Sequence, residues 1–569
     1  VSLSPIAACL LVVGIGGCGV APAHAPPPPP PALPEPPPPA ADAPGRDYLL
    51  QVYALLRPAW HQFVEDCRLR LPATHPLNQP GWSAEVELRI GSDGLVVGAT
   101  LARASGERDF DDAVRDVVGE LSWLPAPPPE LRSDDGVLRL RWLFARDRRG
   151  AGPATARAEV VRLAPAPAIA AFLGRGELDA ALARLAEPAI SDDDRVTLTD
   201  QIARRRLLDG ALGDSEAARR EALAGLRDLP AALALSSAEL TRLRVAAASE
   251  RDPATTLAFA RALAAGSRAD ARAVAAQALV RSTTAAEAAA ASAVLRELGD
   301  SAAVAGVVDV WVARQPPPSD LVLAALAVAP SLARRPWIED ALQAGGATTQ
   351  ARACVALAAV PALDQAGVAL LVRATRSPHP EVRAACLAAL GGRRDGGVEA
   401  ALRRALDDGD DVVRAAAVAT LATQGAATRA VLALDDRPVE VAIALAGHAY
   451  ELGLTPARRQ AYLGHADERV RAAALRAALA HGDVGAIGPA ALRDPSAEVR
   501  RLALAAGAHD VGEGLVDDEV LEVRAASVAT WAARAPAAAV RVVLARLGSS
   551  APVQEQLLTA RVWLARPRA

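Results

Sequence analysis

The sequence predicts a small α+β domain, ordered helix, β-hairpin, helix, strand, followed by an all-α solenoid. A phrase made of an acidic or Pro turn, then Val-Arg, then an Ala-rich apolar stretch recurs through the C-terminal half. Earlier, Ala84-Glu85-Val86-Glu87-Leu88-Arg89-Ile90 alternates apolar and charged residues, the period of a half-buried strand. Pro26 to Pro39 is almost continuous proline and parts an apolar N-terminus from the rest. The expected segments are 1–25 as a signal, 26–45 as a Pro-rich linker, 46–148 as the α+β domain, 155–344 as degenerate helical repeats and 345–569 as regular repeats.

The repeated phrase ends at Val382-Arg383, Val413-Arg414, Val470-Arg471, Val499-Arg500 and Val523-Arg524. Ala351-Arg352 is a weaker copy, and Glu440-Val441-Ala442 has lost its Arg. Positions 352, 383, 414, 442, 471, 500 and 524 are separated by 31, 31, 28, 29, 29 and 24 residues. A period near 30 is the signature of stacked helix pairs. Within one unit Val382, Cys386 and Leu390 line a helix face that Gly391-Gly392 ends, and Leu402 and Leu406 form a second stripe. A pair this Ala-rich buries too little surface to stand alone, so pairs must stack. The phrase resembles HEAT-like repeats of the short kind, also seen among bilin lyases, over about 345 to 535. That resemblance implies that Arg383, Arg414, Arg471, Arg500 and Arg524 form a structural ladder with acidic turn residues of the adjacent repeat.

In the α+β segment, Tyr48, Val52, Leu55 and Leu56 suggest a helix leading to Trp60 and Phe63. Ser92-Asp93-Gly94 is a hairpin turn between the alternating strand and a return strand from Leu95 to Ala104. Asp109 or Asp111 can cap a helix carrying Val114, Val117, Val118 and Leu121, and Val137 to Phe144 forms a last strand of a three-stranded sheet. The strand, Asp93-Gly94, Ala104-Ser105-Gly106, Phe110-Asp111, Trp123-Leu124-Pro125 and Leu138-Arg139-Leu140-Arg141-Trp142-Leu143-Phe144 together resemble the TonB C-terminal domain. The resemblance implies a periplasmic domain behind a Pro-rich spacer that binds a segment of an outer-membrane transporter by strand addition. It implies a partner-binding edge strand made of Val137, Leu138, Arg139, Leu140, Arg141, Trp142, Leu143 and Phe144. Leu71-Pro72 stands where the family usually has Tyr-Pro, and a long solenoid follows where the family chain ends.

Ile6 to Val20 reads as the apolar part of a secretory signal. Ile15-Gly16-Gly17-Cys18 resembles a bacterial lipobox, with Cys18 the acylated residue, and Ala23-His24-Ala25 resembles an ordinary cleavage site; the lipobox is preferred. With no Met in the chain, Val1 reads as an alternative start or a truncated end. The proline run is expected to be an extended polyproline rod of roughly 40 Å, at ~3.1 Å per residue. Gly150 to Ala154 reads as a small flexible joint, and Gly174-Arg175-Gly176 and Gly210 as turns between helices.

Chemistry is sparse. The chain has 8 His, none paired at helical metal-site spacing. No nucleophile elbow occurs, and a phosphate loop is impossible because all 62 basic residues are Arg. Asp407-Asp408-Gly409-Asp410-Asp411 lacks the spacing of a calcium loop and reads as a turn. Cys354 and Cys386 follow the repeat Arg by two and three residues; they read as small core residues or as a pair able to approach. A net charge of −4 with interspersed signs argues against nucleic acid. The expectation is a non-enzymatic, cofactor-free, lipid-anchored scaffold that binds envelope proteins, an outer-membrane transporter segment among them, on the periplasmic side. The rivals are a TonB-like transducer for siderophore or vitamin transport and a HEAT-like lyase or hydroxylase accessory enzyme.

Overall fold

A computed structural model describes residues 35–567 apart from 189, 318, 426–430, 432–435, 437 and 507–514. Cys18, the lipobox, the Ala23-His24-Ala25 site and most of the proline run lie outside the described residues. The chain divides into two compact units, Val1–Arg162 and Leu163–Ala569.

In the first unit, helix α1 (Arg46–Arg70) buries Tyr48, Leu49, Val52, Leu56, Trp60, Val64 and Cys67, one face at three- and four-residue spacing. Asn78 ties down its C-terminal end: its Nδ2 donates to Cys67 O in the last turn at 3.0 Å and to Pro72 O just beyond the helix at 3.0 Å. Strand β1 (Ser83–Ile90) turns into β2 (Val96–Arg103). Gly94 makes that turn at φ 94°, and a Cβ there would stand 2.2 Å from the Leu124 carbonyl oxygen. Gly94→Ala is therefore expected to cost about 2–3 kcal/mol, combining αL strain with the clash, as read by denaturant unfolding of the full chain.

Helix α2 (Arg108–Gly119) follows, with Phe110, Val114, Val117 and Val118 buried. Asp111 does not cap it: its Oδ1 accepts from Ser105 N at 2.8 Å and so ties the approach to the helix. Trp60 is the hub of the core, edge-on to Phe110 at 5.8 Å and to Phe144 at 5.0 Å.

The sheet departs from the expected three strands. β3 (Leu138–Ala145) pairs with β1, and a fourth strand, β4 (Ala156–Glu159), pairs with β3, giving the order β2-β1-β3-β4. Gly150 to Ala154 is no joint. Gly150 O accepts from Ala145 N at 2.9 Å, Ala151 O accepts from Trp142 Nε1 at 3.0 Å, and Pro153 is buried. Satisfying the buried indole pins this turn and aims the following residues along β3. The end of the proline run is also held: Glu35 pairs with Arg57 at 2.6 Å and Pro39 is buried. The rod expected through Pro39 thus ends against its own domain.

The second unit is helical throughout its described residues. Each copy of the repeated phrase opens a helix: Pro380–Ala389, Asp411–Thr423, Val439–Gly447, Glu468–Ala480, Ala497–Ala505 and Leu521–Arg534. Gly392 leaves its helix at φ 76°, the αL conformation that ends a helix cleanly. The poorly repetitive stretch before 345 is built alike. Helices Glu216–Arg227, Pro253–Leu263, Ala285–Glu297, Ser319–Val328 and Ala347–Ala359 pack in succession and lead without a break into the regular copies. One continuous apolar core runs from Ile169 through Ala474 and takes in Val528 to Leu564, and a smaller cluster lies between Ala472 and Val523.

The array is also not open-ended. Helix Val553–Leu564 packs on both Asp192–Ala211 and Glu216–Arg227, so twelve of the described helices make a closed circuit from Glu216–Arg227 back to itself. Gly210, expected at a turn, lies inside Asp192–Ala211, and a Cβ on it would stand 2.5 Å from Leu557 Cδ2. Arg566 donates to Asp200 at 2.7 Å, both largely buried, and its guanidinium stacks 3.9 Å from the Trp563 ring centre. Arg561 pairs with Glu221 at 3.0 Å, and Arg206 Nη2 donates to Leu547 O at 2.9 Å.

Candidate protein-binding surfaces

The residues expected to form the open edge of the sheet do not. Arg139, Leu140, Arg141 and Trp142 of β3 face Glu159, Ala158, Arg157 and Ala156 of β4, and the same strand faces β1 on its other side. Leu143 O accepts from Thr155 Oγ1 at 2.9 Å, Ala145 N donates to Gly150 O, and Val137 precedes the strand and closes the turn by accepting from Ser133 N. Leu138, Leu140, Trp142 and Phe144 are core residues. β3 is interior because 150–159 folds back on it. The outer strands are β2 and β4. Nothing in Ala156-Arg157-Ala158-Glu159 marks a strand strongly; its placement follows from bonds on either side of it, Trp142 Nε1 to Ala151 O and Thr155 Oγ1 to Leu143 O before it and Val161 N to Ser133 Oγ after it.

Four of the repeat arginines share one geometry among the described residues. Arg383 clamps Asp408 at 2.8 Å while its Nη1 donates to Ser377 O and Pro378 O at 3.0 and 3.2 Å. Arg471 does the same with Asp494 at 2.7 Å and the carbonyls of His465 and Ala466. Arg500 takes Asp518 at 2.8 Å and the carbonyls of Asp494 and Pro495; Arg524 takes Glu555 at 3.2 Å and the carbonyls of Asp518 and Glu519. One guanidinium thus fastens its own turn and reaches an acid of the following unit, the planar fork being suited to two partners at once. The acids double as turn formers, since Asp408, Asp494 and Asp518 accept from the backbone of Asp410, Ser496 and Val520. Arg414 donates to Asp408 O in the same way and pairs with Asp411 of its own helix; most of the turn that follows, Asp435 included, lies outside the described residues. In the turn of the copy that has lost its Arg, at Ala442, Asp436 is bound by Tyr462 Oη at 2.9 Å and Arg458 at 3.2 Å.

Burial pushes the Asp408, Asp494 and Asp518 carboxyls up, but the arginine and backbone hydrogen bonds outweigh it and hold all three below the usual carboxylate range. Groups with depressed folded-state pKa values stabilise above the unfolded value of about 3.9 and lose that contribution as pH falls through the folded value. The unfolding midpoint is therefore expected to be flat from pH 7 to 5 and to drop below about pH 4. A variant carrying Asp408→Asn, Asp494→Asn and Asp518→Asn should start lower and respond less to acid, measured by urea unfolding across pH.

Two further clusters carry chemistry-bearing side chains. His481 stacks on Tyr450 at 4.7 Å and touches Glu451 at 3.2 Å, while Tyr450 donates to Asp483 at 2.7 Å. A cavity of about 140 Å³ in the first unit is lined by Tyr53, Arg57, Trp60, His61 and Arg146. Among the described residues, no group of three or more His, Cys, Asp and Glu could hold a metal ion, and no helix is long and apolar enough to cross a membrane.

Residues 45–139 match the family model for the TonB C terminal, and residues 335–422 and 367–449 match HEAT repeats. The chain joins a TonB C-terminal domain to HEAT repeats. No curated protein matches it. The TonB C-terminal domain points to a cell-envelope, periplasm-associated protein, and both families point to protein–protein interaction. The TonB C-terminal match stops at residue 139, whereas the compact unit continues to Arg162 with β4.

Sequence reasoning missed three features of this domain: the exposed edge of β2, Arg89 above it, and Trp123 at its end. The signal available was the run Val96-Val97-Gly98-Ala99-Thr100-Leu101-Ala102, a strand with no charge and no proline. Which strand stays outermost depended on β4.

Proposed function

We propose that this protein is a periplasm-facing adaptor that binds other envelope proteins and does not catalyse a reaction. The observation that carries the reading is the coupling, in one chain, of a TonB C-terminal domain that keeps one long strand edge uncovered with a repeat array closed on itself. Domains that add strands and arrays that present long helical surfaces are both binding devices. The Cys354–Cys386 disulfide supports an oxidising compartment, where such bonds persist. Tethering through an acylated Cys18, in the outer membrane, is the anchor the reading favours.

The TonB C-terminal match also favours a second reading, a transducer for outer-membrane transport. That role requires an N-terminus retained in the inner membrane. Intact mass and membrane fractionation of the mature protein separate the two: an acyl-modified Cys18 supports the adaptor, and an unprocessed inner-membrane N-terminus supports the transducer. The adaptor reading itself is tested by purifying the full chain and a chain lacking 46–162 from envelope extracts. It predicts that distinct partners are lost with the deletion, and it is abandoned if neither chain retains any envelope protein.

A further inference from the structure

Arg146 is a buried cation without a counter-ion. It follows β3 directly, and its backbone N donates to Trp82 O at 2.9 Å, so its place is fixed by the sheet. The residue is 8% exposed; Nη2 donates to Asn78 Oδ1 at 2.7 Å and Nη1 to Val64 O at 3.5 Å, while Nε has no partner among the described residues. The acids around it are engaged elsewhere, Glu65 with Arg68 at 2.6 Å and Asp147 with Arg149 at 2.7 Å. Burial pushes the Arg146 guanidinium below the usual arginine range. A charge taken out of water is costly unless it is paired, and a site that keeps one unpaired beside a cavity is a candidate for function.

That cavity is the one of about 140 Å³ walled by Tyr53, Arg57, Trp60, His61 and Arg146. Its cations lie at two depths: the Arg57 side chain is 53% exposed, whereas Arg146 is buried. The indole nitrogen of Trp60 stands 3.8 Å from where a Cβ on Gly150 would be, and both residues line the space, so an uncharged N–H joins the guanidinium donors there. The end of the Pro-rich segment reaches the same place. Pro36 is seated on Gly152, where a Cβ would stand 2.5 Å from it, and Glu35 lines the cavity with its carboxylate on Arg57. The chain thus places one of its own carboxylates beside its buried cation. With Asp147 held by Arg149, Glu35 is the one acid in the lining that pairs with a wall cation among the described residues.

We propose that this cavity binds a small oxyanion of carboxylate or phosphate chemistry, with Arg146 as the buried cation, Arg57 as the cation at the mouth and Glu35 as a built-in competitor. The volume is well below the roughly 300–1,000 Å³ of pockets for drug-sized molecules and suits an ion of a few heavy atoms. Guanidinium groups are matched to planar and tetrahedral oxyanions, and the bonds they make to them are charge-assisted. The Glu35 side chain is 78% exposed, so its pair with Arg57 is weak and can be displaced. An ion that takes Arg57 from Glu35 also loosens the end of the Pro-rich segment from the domain. This site is separate from any protein-binding surface of the chain and does not depend on the adaptor reading.

The test is calorimetric titration of the full chain with inorganic phosphate, acetate and succinate in turn, at one ionic strength held with chloride. At least one of the three should bind one per chain with Kd of about 1 mM or lower, and which of them does so tells phosphate from carboxylate as the source. Arg57→Ala should weaken that ion about tenfold, and Glu35→Gln should strengthen it about threefold or more by removing the competitor. Arg146→Met should abolish binding; because Arg57 and Glu35 are exposed, their variants decide the matter even if Arg146→Met does not fold. Arg70→Ala, at the far end of α1, should bind as the parent does. Binding weaker than about 1 mM for all three ions, affinity unmoved by Arg57→Ala and Glu35→Gln, or an equal loss in Arg70→Ala each overturns the proposal.

Discussion

Trp563→Ala is expected to destabilise the whole repeat unit by about 3–5 kcal/mol, the usual cost of truncating a fully buried indole. The size follows from what the side chain does. It sits in the core that the last helix shares with the first ones, under the guanidinium of Arg566, which is itself tied to Asp200. Removing the ring opens a cavity and strips the packing from a largely buried cation. In an open array a terminal lesion frays the last pair and leaves the main transition nearly unmoved, because each repeat touches only its neighbours. In a closed circuit the last helix is the neighbour of the first. Urea unfolding followed by helical circular dichroism distinguishes the two. Closure predicts one cooperative transition at lower urea, and Val553→Ala, at an exposed position on the same helix, within about 0.5 kcal/mol of the parent.

The second large effect concerns Cys354 and Cys386, which bridge adjacent repeats with a Cα–Cα distance of 5.0 Å and a sequence separation of 32. Closing a loop of that length removes about 3–4 kcal/mol of chain entropy from the unfolded state. Cys354→Ser should therefore lower stability by about that much under oxidising conditions. The difference between variant and parent should largely vanish in excess reductant. Both sulfurs are fully buried, so reduction is expected to need partial unfolding and to be slow without denaturant.

Much of this architecture is legible in the residues because it repeats. The Val-Arg phrase marks helix starts at Val382, Val413, Val470, Val499 and Val523, and the acids of Asp408, Asp494 and Asp518 belong to the same turns. Closure is not legible. It depends on Leu557 meeting Gly210 and Arg566 meeting Asp200, contacts between residues more than 300 apart that no local period announces. The order of the sheet is hidden for a similar reason. Val137 to Phe144 alternates strongly and ends the recognisable domain, so it looks outermost, whereas Ala156-Arg157-Ala158-Glu159 is too short to show a period. The repeat spacing leaves Cys354 and Cys386 readable as small core residues or as a pair able to approach, and whether they bridge depends on how closely two Ala-rich helices approach.

The most direct test of the account is photo-crosslinking in a Gram-negative host, with a benzophenone amino acid placed at Ala102 on the β2 edge of the full chain and, separately, at Arg157 on β4. The account predicts adducts from Ala102 to an identifiable envelope protein and few from Arg157. Adducts to cytosolic proteins alone, or equal adducts from both positions, would contradict it.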